Sequence, residues 1–343
     1  MIRTSSIVLL LATCLCLIGC GDSESSSTPE PFTFGVVADV QYADIPHRDT
    51  RRYSEAADKL GDAITMFNAV RNDFVMEMGD IIDEQLDENG EILLGPDGDP
   101  DAAHLDVVMS KFNALRGKLY HVLGNHDFDA KPWAYEDCIP LSSFPGGQYY
   151  YEFIHKGIQF IVLDGNDVSV RHKPESRNYQ KAMWYIDTAR ENGIHLKTWN
   201  GAVGELQLKW FRQKLAEGRD RGLNTIVCCH FPIHLDATKD REPIVLWNRE
   251  DVLTILDEYP NVVAYLAGHE HNGGYVFHNG VHHVTFQAIC DAPADSNAYA
   301  LVDVKLDRIS IRGFGTIPSR ELPFRAPPIE EPIATEDSPG PNE

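Results

Sequence analysis

Short apolar stretches rich in Val, Ile, Phe and Tyr alternate along this chain with longer segments of amphipathic, helical spacing. This alternation constrains the fold strongly, because parallel strands are connected by helices that cover the sheet. Strands are predicted at residues 32–38, 74–78, 118–123, 148–153, 158–163, 225–229 and 262–267, and helices at 52–70, 104–115, 179–189, 204–217 and 251–259. The pattern predicts an α/β fold.

Three parts of this pattern are less regular. The strands at 148–153 and 158–163 are predicted to form a hairpin that turns at Lys156-Gly157. Residues 164–204 are polar and interrupted, so we expect them to form the rim of a substrate pocket. Further strands are predicted at 282–289, 298–306 and 309–314, and we expect these to form a second, antiparallel sheet.

The two ends of the chain differ from the part between them. Arg3 precedes an apolar run, residues 7–19, that is too short to span a bilayer and is typical of a secretory signal. The run ends Leu17-Ile18-Gly19-Cys20, which resembles the lipobox of bacterial lipoproteins and implies that Cys20 is lipidated; an ordinary cleaved signal is the alternative. We predict a signal peptide at 1–19, a flexible tether with lipidated Cys20 at 20–31, a folded domain at 32–325 and a disordered acidic, Pro-rich tail at 326–343. The chain would then be an exported, membrane-anchored lipoprotein.

Charge and cysteine content limit the possible partners. The chain has 30 Lys and Arg against 52 Asp and Glu, a formal net charge of −22, which disfavours nucleic acid as a partner. Outside the signal region the cysteines are Cys138, Cys228, Cys229 and Cys290. Export would permit a disulfide, but adjacent residues of a strand face opposite sides, so buried free thiols are the favoured interpretation.

Polar motifs follow five of the predicted strands. They are Asp39-Val40-Gln41, Gly79-Asp80-Ile81-Ile82-Asp83, Gly124-Asn125-His126-Asp127, His230 and Gly268-His269-Glu270-His271. The carboxyl ends of strands meet at one edge of an α/β sheet, where ligand sites are found, so these side chains should converge. Each motif alone is weak evidence, because Gly-Asp is a common turn and a single His is usually structural.

Together the motifs predict a site for two divalent metal ions. Hydrolysis of a phosphate ester near neutral pH requires a strong nucleophile and neutralisation of phosphoryl charge, and two metal ions supply both. Asp80 suits the bridging position, with Asp39 on the first metal and Asn125 and His230 on the second; His269 and His271 are divided between them.

The motifs GDxxD, GNHD and GHxH, in this order, resemble those of the calcineurin-like metallophosphoesterase superfamily, and the resemblance spans residues 32–314. It implies an α/β/β/α sandwich of two mixed sheets flanked by helices. It also assigns Asp39, Asp80 and His271 to the first metal, and Asp80, Asn125, His230 and His269 to the second. A metal-activated hydroxide would be the nucleophile, His126 would protonate the leaving oxygen, and Asp83 would orient His126.

The first motif departs from the commonest pattern of that superfamily, because Gln41 occupies the position of a histidine. An amide oxygen is a harder ligand than imidazole, so the change favours Mn²⁺ or Mg²⁺ over Zn²⁺, with Fe also possible. The alternative is that Gln41 does not coordinate and the first site is weak.

The same substitution is typical of the manganese-dependent ADP-ribose/CDP-alcohol diphosphatases. Further stretches that resemble this group are residues 35–44, 79–83, 246–248, 267–275 and 313–320. The resemblance implies two Mn²⁺ ions and hydrolysis of the pyrophosphate bond of a small nucleoside diphosphate compound. Two features depart from the group: residues 45–50 form a shorter loop without its aromatic residue, and those relatives act inside cells.

Two alternative functions are open at this stage. One is a phosphodiesterase or phosphomonoesterase of the same fold, and the other is a non-catalytic lipoprotein that binds a nucleotide or a protein. Arg51, Arg52, Tyr53 and Trp247 are candidates for contacts with a phosphate or base, although surface or packing roles are equally compatible with the sequence.

Overall fold

The computed structural model describes residues 30–83, 103–128, 143–241 and 243–324, which form two six-stranded sheets packed face to face, with helices on the outside. The strands are β1 (Phe32–Val37), β2 (Phe74–Glu77), β3 (Lys118–His121), β4 (Tyr151–His155), β5 (Ile158–Leu163), β6 (Asn224–Cys229), β7 (Val262–Ala267), β8 (Gly274–His278), β9 (Val281–Thr285), β10 (Ala298–Val304), β11 (Arg308–Gly315) and β12 (Arg320–Pro323). The helices are α1 (Ala56–Val70), α2 (Ala103–Phe112), α3 (Arg177–Glu191), α4 (Glu205–Asp220) and α5 (Arg249–Glu258). The predicted sandwich of two mixed sheets is confirmed.

The first sheet has the order β12-β11-β10-β1-β2-β3. β1 pairs in parallel with β2, where Phe34 lies opposite Phe74, and antiparallel with β10, where Phe34 lies opposite Val302. The prediction that the C-terminal strands form a separate antiparallel sheet is therefore wrong. β10 and β11 were located correctly, but they extend the first sheet because β1 offers its second edge to β10, a non-local pairing that strand patterns do not encode.

The second sheet has the order β4-β5-β6-β7-β9-β8. The predicted hairpin of β4 and β5 is confirmed, and its turn residues Lys156 and Gly157 have φ values of 45° and 80°, which suit a two-residue hairpin turn. The strand predicted at 282–289 is shorter, since β9 ends at Thr285. β8 and β12 were not predicted.

The two sheets share an aromatic core. Phe34 and Phe74 of the first sheet stack at a centroid distance of 4.9 Å, and Phe160 of the second sheet meets them edge-on at 5.6 and 5.4 Å. A second core, which includes Phe211 of α4 and Val252 of α5, packs on the outer face of the second sheet. Burial on both faces explains why β5, β6 and β7 are almost continuously apolar.

Several sequence predictions concern residues outside the described ranges. These are the signal peptide, most of the tether, the acidic tail and Cys138. Within the described ranges Cys228, Cys229 and Cys290 are buried free thiols, as predicted. None of the helices there is long and apolar enough to cross a membrane.

Candidate metal centre

The predicted metal ligands follow strands from both sheets. Asp39, Asp80 and Asn125 follow β1, β2 and β3, whereas His230 and His269 follow β6 and β7. One potential ligand atom from each of Asp80, His230 and His269 lies within 4.8 Å of the others. The strand ends of the two sheets therefore meet at one edge of the sandwich, so these three side chains converge as predicted, but from two sheets rather than at the edge of one.

The backbone at this edge is strained. Asp39, Gln41, Asp80 and His269 have φ values of 50°, 40°, 60° and 69°, in the left-handed region that non-glycine residues rarely adopt. Such strain is common at functional sites, where the surrounding structure holds it. Gly79 has φ 98°, and a Cβ there would lie 2.6 Å from Nδ1 of His230, so only glycine lets the strand end approach this ring.

Asp39 joins the first and last motifs. Its carboxylate accepts hydrogen bonds from the backbone N–H of His269 at 3.0 and 3.1 Å, and its Oδ1 lies 3.7 Å from Nε2 of His271. Burial raises the pKa of Asp39 to about 6, although His230 and His271 act in the opposite direction. A cation beside this buried carboxylate would favour its charged form.

Asp80 lies at the centre of the cluster. Its Oδ1 accepts the backbone N–H of His126 at 2.7 Å, and its Oδ2 accepts Nε2 of Gln41 at 3.3 Å and lies 3.2 Å from Nε2 of His230. Burial favours the neutral acid, but the charges of His230, His126 and His269 and the hydrogen bond from His230 together outweigh it and hold the pKa of Asp80 below its usual range. A divalent metal beside this buried carboxylate would favour its charged form in the same way.

Hydrogen bonds set the tautomers of the two histidines assigned to the second metal. His230 donates from Nδ1 to the carbonyl oxygen of Met78 at 2.8 Å, which leaves Nε2 facing Asp80. His269 donates from Nε2 to Oδ1 of Asn200 at 2.8 Å, which leaves Nδ1 facing His230 at 3.1 Å. Metal-ligating histidines usually have such an outer partner, because it fixes ring orientation and tautomer.

Asn200 was missed by the sequence analysis. It is buried, and it donates from Nδ2 to the carbonyl oxygens of Pro243 at 3.2 Å and Val245 at 2.8 Å. Nothing in the segment around it predicts this role, because Asn200 reaches the site only through the fold of residues 164–204.

Asn125 provides the test of whether these residues fit a metal ion. Its side chain is fully buried, and neither Oδ1 nor Nδ2 has a hydrogen-bond partner among the described residues. An unsatisfied buried amide is costly, so it requires an explanation. Coordination of a divalent cation by Oδ1 would provide one, and the Asp, Asn, Gln and His donors nearby suit Mn²⁺.

Asp127 holds two of the motifs together and was given no role from the sequence. Its carboxylate accepts the backbone N–H groups of Asp80, Ile81 and Gly124 at 3.2, 2.8 and 2.7 Å. Burial raises the pKa of Asp127 to about 7, against these hydrogen bonds. The residue positions the loops after β2 and β3 relative to each other.

His126 and Asp83 lie beside the predicted metal ligands. Nδ1 of His126 is 3.4 Å from Oδ1 of Asp83, and Nη1 of Arg51 lies 3.3 Å from Oδ2 of the same carboxylate and 3.5 Å from the hydroxyl of Tyr53. His126 is partly exposed, whereas Asp83 is buried. This is the geometry of an imidazole held by a carboxylate at the edge of a site.

A cavity of about 620 Å³ opens over the cluster. Arg171 and Trp199 of segment 164–204 line it, which confirms the predicted rim. Arg48, Arg51 and Tyr53 also line it.

Two of the candidate substrate contacts lie elsewhere. Arg52 forms an ion pair with Glu55 at 2.6 Å, and Trp247 donates from Nε1 to the carbonyl oxygen of Lys197 at 3.1 Å. Packing is the role that the structure gives to Trp247, whose ring lies 6.1 Å from that of Tyr185.

Known proteins resemble this chain over most of its length. Residues 32–273 match the calcineurin-like phosphoesterase family. The chain is 28% identical over 348 residues to a Xenopus tropicalis protein named manganese-dependent ADP-ribose/CDP-alcohol diphosphatase, which covers 89% of this chain and 98% of the relative. An Arabidopsis thaliana protein of the same name is 30% identical over 314 residues, which cover 85% of this chain and 96% of the relative. The crystal structure of a dimetal phosphatase from Danio rerio matches with a TM-score of 0.76 and 28% identity, covering 86% of this chain and 99% of that one. The predicted resemblance is therefore confirmed.

Proposed function

The chain belongs to the calcineurin-like phosphoesterase family and is a metal-dependent hydrolase, and we propose that it hydrolyses the pyrophosphate bond of small nucleoside diphosphate compounds of the ADP-ribose or CDP-alcohol type. The products would be a nucleoside monophosphate and a phosphorylated partner. The named activity of relatives that match over most of their length supports this substrate class.

The cavity lining is the structural observation that carries the proposal. Although the chain has a formal net charge of −22, three arginines, Arg48, Arg51 and Arg171, line this one cavity. Guanidinium groups match phosphate oxygens in geometry and charge. A diphosphate carries a second phosphate beyond the one that reacts, and these side chains would bind it.

We assign the metal ligands as the sequence predicted. Asp39, Gln41, Asp80 and His271 would hold the first ion, and Asp80, Asn125, His230 and His269 the second. The unsatisfied amide of Asn125 and the outer partners of His230 and His269 support the assignment. When bound, two divalent ions lower the pKa of water and neutralise the charge on phosphoryl oxygens. Manganese is the proposed ion, because it is named in the relatives and suits oxygen and imidazole donors.

The side chains of the protein itself would orient the substrate and move the proton. His126 lines the cavity and would donate a proton to the oxygen that leaves. Asp83 would stabilise the imidazolium form and fix the ring, while Arg51, which contacts Asp83, would hold the phosphate of the leaving group. Asp83 thereby couples binding of the leaving group to the position of the acid.

Substrate profiling tests the proposal. The purified chain, stripped of metal, is assayed with ADP-ribose, CDP-choline, bis-nitrophenyl phosphate and nitrophenyl phosphate, with and without Mn²⁺, and products are separated by chromatography. We expect Mn²⁺-dependent release of AMP and CMP, lost in Asp80→Ala and unchanged in Asp303→Ala, whose carboxylate pairs with Arg312 outside the site. Turnover of the nitrophenyl esters alone would identify a phosphodiesterase or phosphomonoesterase. No turnover with any metal would favour the binding lipoprotein.

We also propose that the chain is exported and anchored by a lipid on Cys20. The signal-like apolar run before Cys20 and the polar segment after it support this proposal. Fractionation of expressing cells should place the wild type with the membranes and Cys20→Ser in the soluble fraction, with Cys228→Ser as the control for loss of a thiol. An equal distribution of all three would contradict the anchor.

A further inference from the structure

Two adjacent residues between β9 and β10, Cys290 and Asp291, contact the residues assigned to the first metal. Cys290 is fully buried, and the side chain of Asp291 is about one-fifth exposed. The segment is fixed by backbone hydrogen bonds from Ile289 to Ala38 at 3.1 Å and from Cys290 to Asp39 at 3.2 Å. It therefore runs directly beside the chain that leaves β1.

Asp291 sets the tautomer of His271. Nδ1 of His271 lies 2.8 Å from Oδ2 of Asp291, so the imidazole donates its proton from Nδ1 to the carboxylate. Nε2 is then the nitrogen with a lone pair, and it faces Asp39 at 3.7 Å. Asp291 thus presents the correct atom of His271 for a metal ion beside Asp39.

Cys290 sets the orientation of Gln41. Its thiol donates to Oε1 of Gln41, with an Sγ to Oε1 distance of 3.4 Å, while Nε2 of Gln41 donates to Asp80. Both contacts assign the same end of the amide as oxygen. Only the oxygen of a neutral amide can bind a cation. The thiol of Cys290 therefore holds the one atom of the Gln41 side chain that could coordinate the first metal.

We infer that Cys290 and Asp291 are positioning residues for the first metal ion, an inference that rests on the proposed metal centre. Together they hold three of the residues assigned to this ion: Asp39 through the backbone, Gln41 through the thiol and His271 through the carboxylate. They are not a separate metal site, although potential ligand atoms of His271, Cys290 and Asp291 lie within 4.8 Å of one another. The short contact between Nδ1 of His271 and the carboxylate of Asp291 is explained by a hydrogen bond between them.

The same segment reaches the substrate side. The backbone N–H of Arg52 donates to the carbonyl oxygen of Cys290 at 2.8 Å, and Asp291 lines the cavity together with Arg51. The loop after β1, which carries Asp39, Gln41 and two of the cavity arginines, Arg48 and Arg51, is thus fixed by one short stretch of chain. A change at 290 or 291 should act first on metal affinity, because Cys290 contacts Gln41 and Asp291 contacts His271, and both partners are proposed metal ligands.

Titration of Mn²⁺ into the metal-free chain, followed by the electron paramagnetic resonance signal of free Mn²⁺, tests this inference without a substrate. The wild type should bind two ions. In Asp291→Ala we expect one dissociation constant to rise by about 10- to 100-fold, the usual effect of removing an outer partner, and the other to stay unchanged. Asp291→Asn, which keeps an acceptor oxygen, should show a smaller rise. Cys290→Ala should weaken the same site, and Cys290→Ser, which keeps a donor, should restore it.

Matched controls separate positioning from folding. Asp303→Ala removes a carboxylate of the same exposure, and Cys228→Ala removes a buried thiol of the core; both should keep the two wild-type constants. Unchanged constants in the Asp291 and Cys290 variants, or equal weakening of both ions, would overturn the inference. Complete loss of one ion in Asp291→Asn would also overturn it, because Asp291 would then be a ligand. Fewer than two ions in the wild type would refute the proposed centre and this inference together.

Discussion

The role of a side chain in this site depends on which of its atoms faces the metal ions or the substrate, and hydrogen bonds to neighbouring groups determine which atom that is. His230 and His269 donate from opposite ring nitrogens, because one faces the carbonyl oxygen of Met78 and the other faces Asn200. The sequence identifies both histidines but specifies neither tautomer. His126 differs from them in being partly exposed, and its ring is held by Asp83, a carboxylate outside the proposed metal ligands, which suits proton transfer better than metal binding.

A comparison of two substrates whose leaving groups differ should show whether His126 is the general acid. We expect His126→Ala to lower kcat/KM for ADP-ribose by about 10²- to 10⁴-fold, and Asp83→Asn to lower it less. Both losses should be much smaller for bis-nitrophenyl phosphate, whose leaving group needs no proton. His155→Ala is the matched control, because His155 pairs with Asp73 at 3.0 Å outside the site, and should behave as wild type. Equal losses on both substrates would show that His126 is not the acid.

At the scale of elements, a cluster of charged side chains connects the two sheets at the start of β2, the end opposite to the site. Asp73 immediately precedes β2 in the first sheet, and its Oδ1 contacts Lys156 at 2.5 Å and His155 at 3.0 Å, both in the β4–β5 hairpin of the second sheet. Burial acts to raise the pKa of Asp73, but hydrogen bonds from Lys156 and His155 outweigh it and lower the pKa below its usual value.

This connection should stabilise the protein in a pH-dependent way. Because the pKa of Asp73 is lower in the folded state than in the unfolded state, its contribution is present above the unfolded pKa of about 4 and is lost as the pH falls through the folded value. We expect Asp73→Asn to lower the free energy of unfolding at pH 7 by about 1 kcal/mol, a modest amount because the group is partly solvated. Urea unfolding at pH 7, 5 and 3 should show this difference at the first two values and a smaller one at pH 3. A difference that persists unchanged at pH 3 would exclude the charge as its cause.

Over the whole molecule, the site belongs to neither sheet alone. β1, β2 and β3 bring one set of ligands and β6 and β7 the other, so the cluster forms only when the sandwich closes. Buried charge at this junction opposes closure unless it is compensated, and the lowered pKa of Asp80 beside His230 illustrates the compensation that the protein provides.

Metal binding should therefore stabilise the whole fold. A ligand that binds only the folded state adds about 2.7 kcal/mol per site at 100 times its Kd, so saturating Mn²⁺ should raise Tm by at least about 5 °C over the metal-free chain. Scanning calorimetry with and without Mn²⁺ measures this shift. Asp80→Ala, which removes the proposed bridging ligand, should lose most of it, and Asp303→Ala should keep it. A wild-type Tm that does not respond to Mn²⁺ would contradict the proposed centre.

The sequence by itself determined the α/β class, most strands and helices, and the strand ends that carry Asp39, Asp80, Asn125, His230 and His269. These features are local, because apolar periodicity and the residues that interrupt it are written along the chain. Tertiary structure decided that β10 and β11 extend the first sheet, and it brought Asn200, Cys290 and Asp291 to the metal ligands. Those contacts join residues far apart in the chain, and only packing of the two sheets sets which side chains meet.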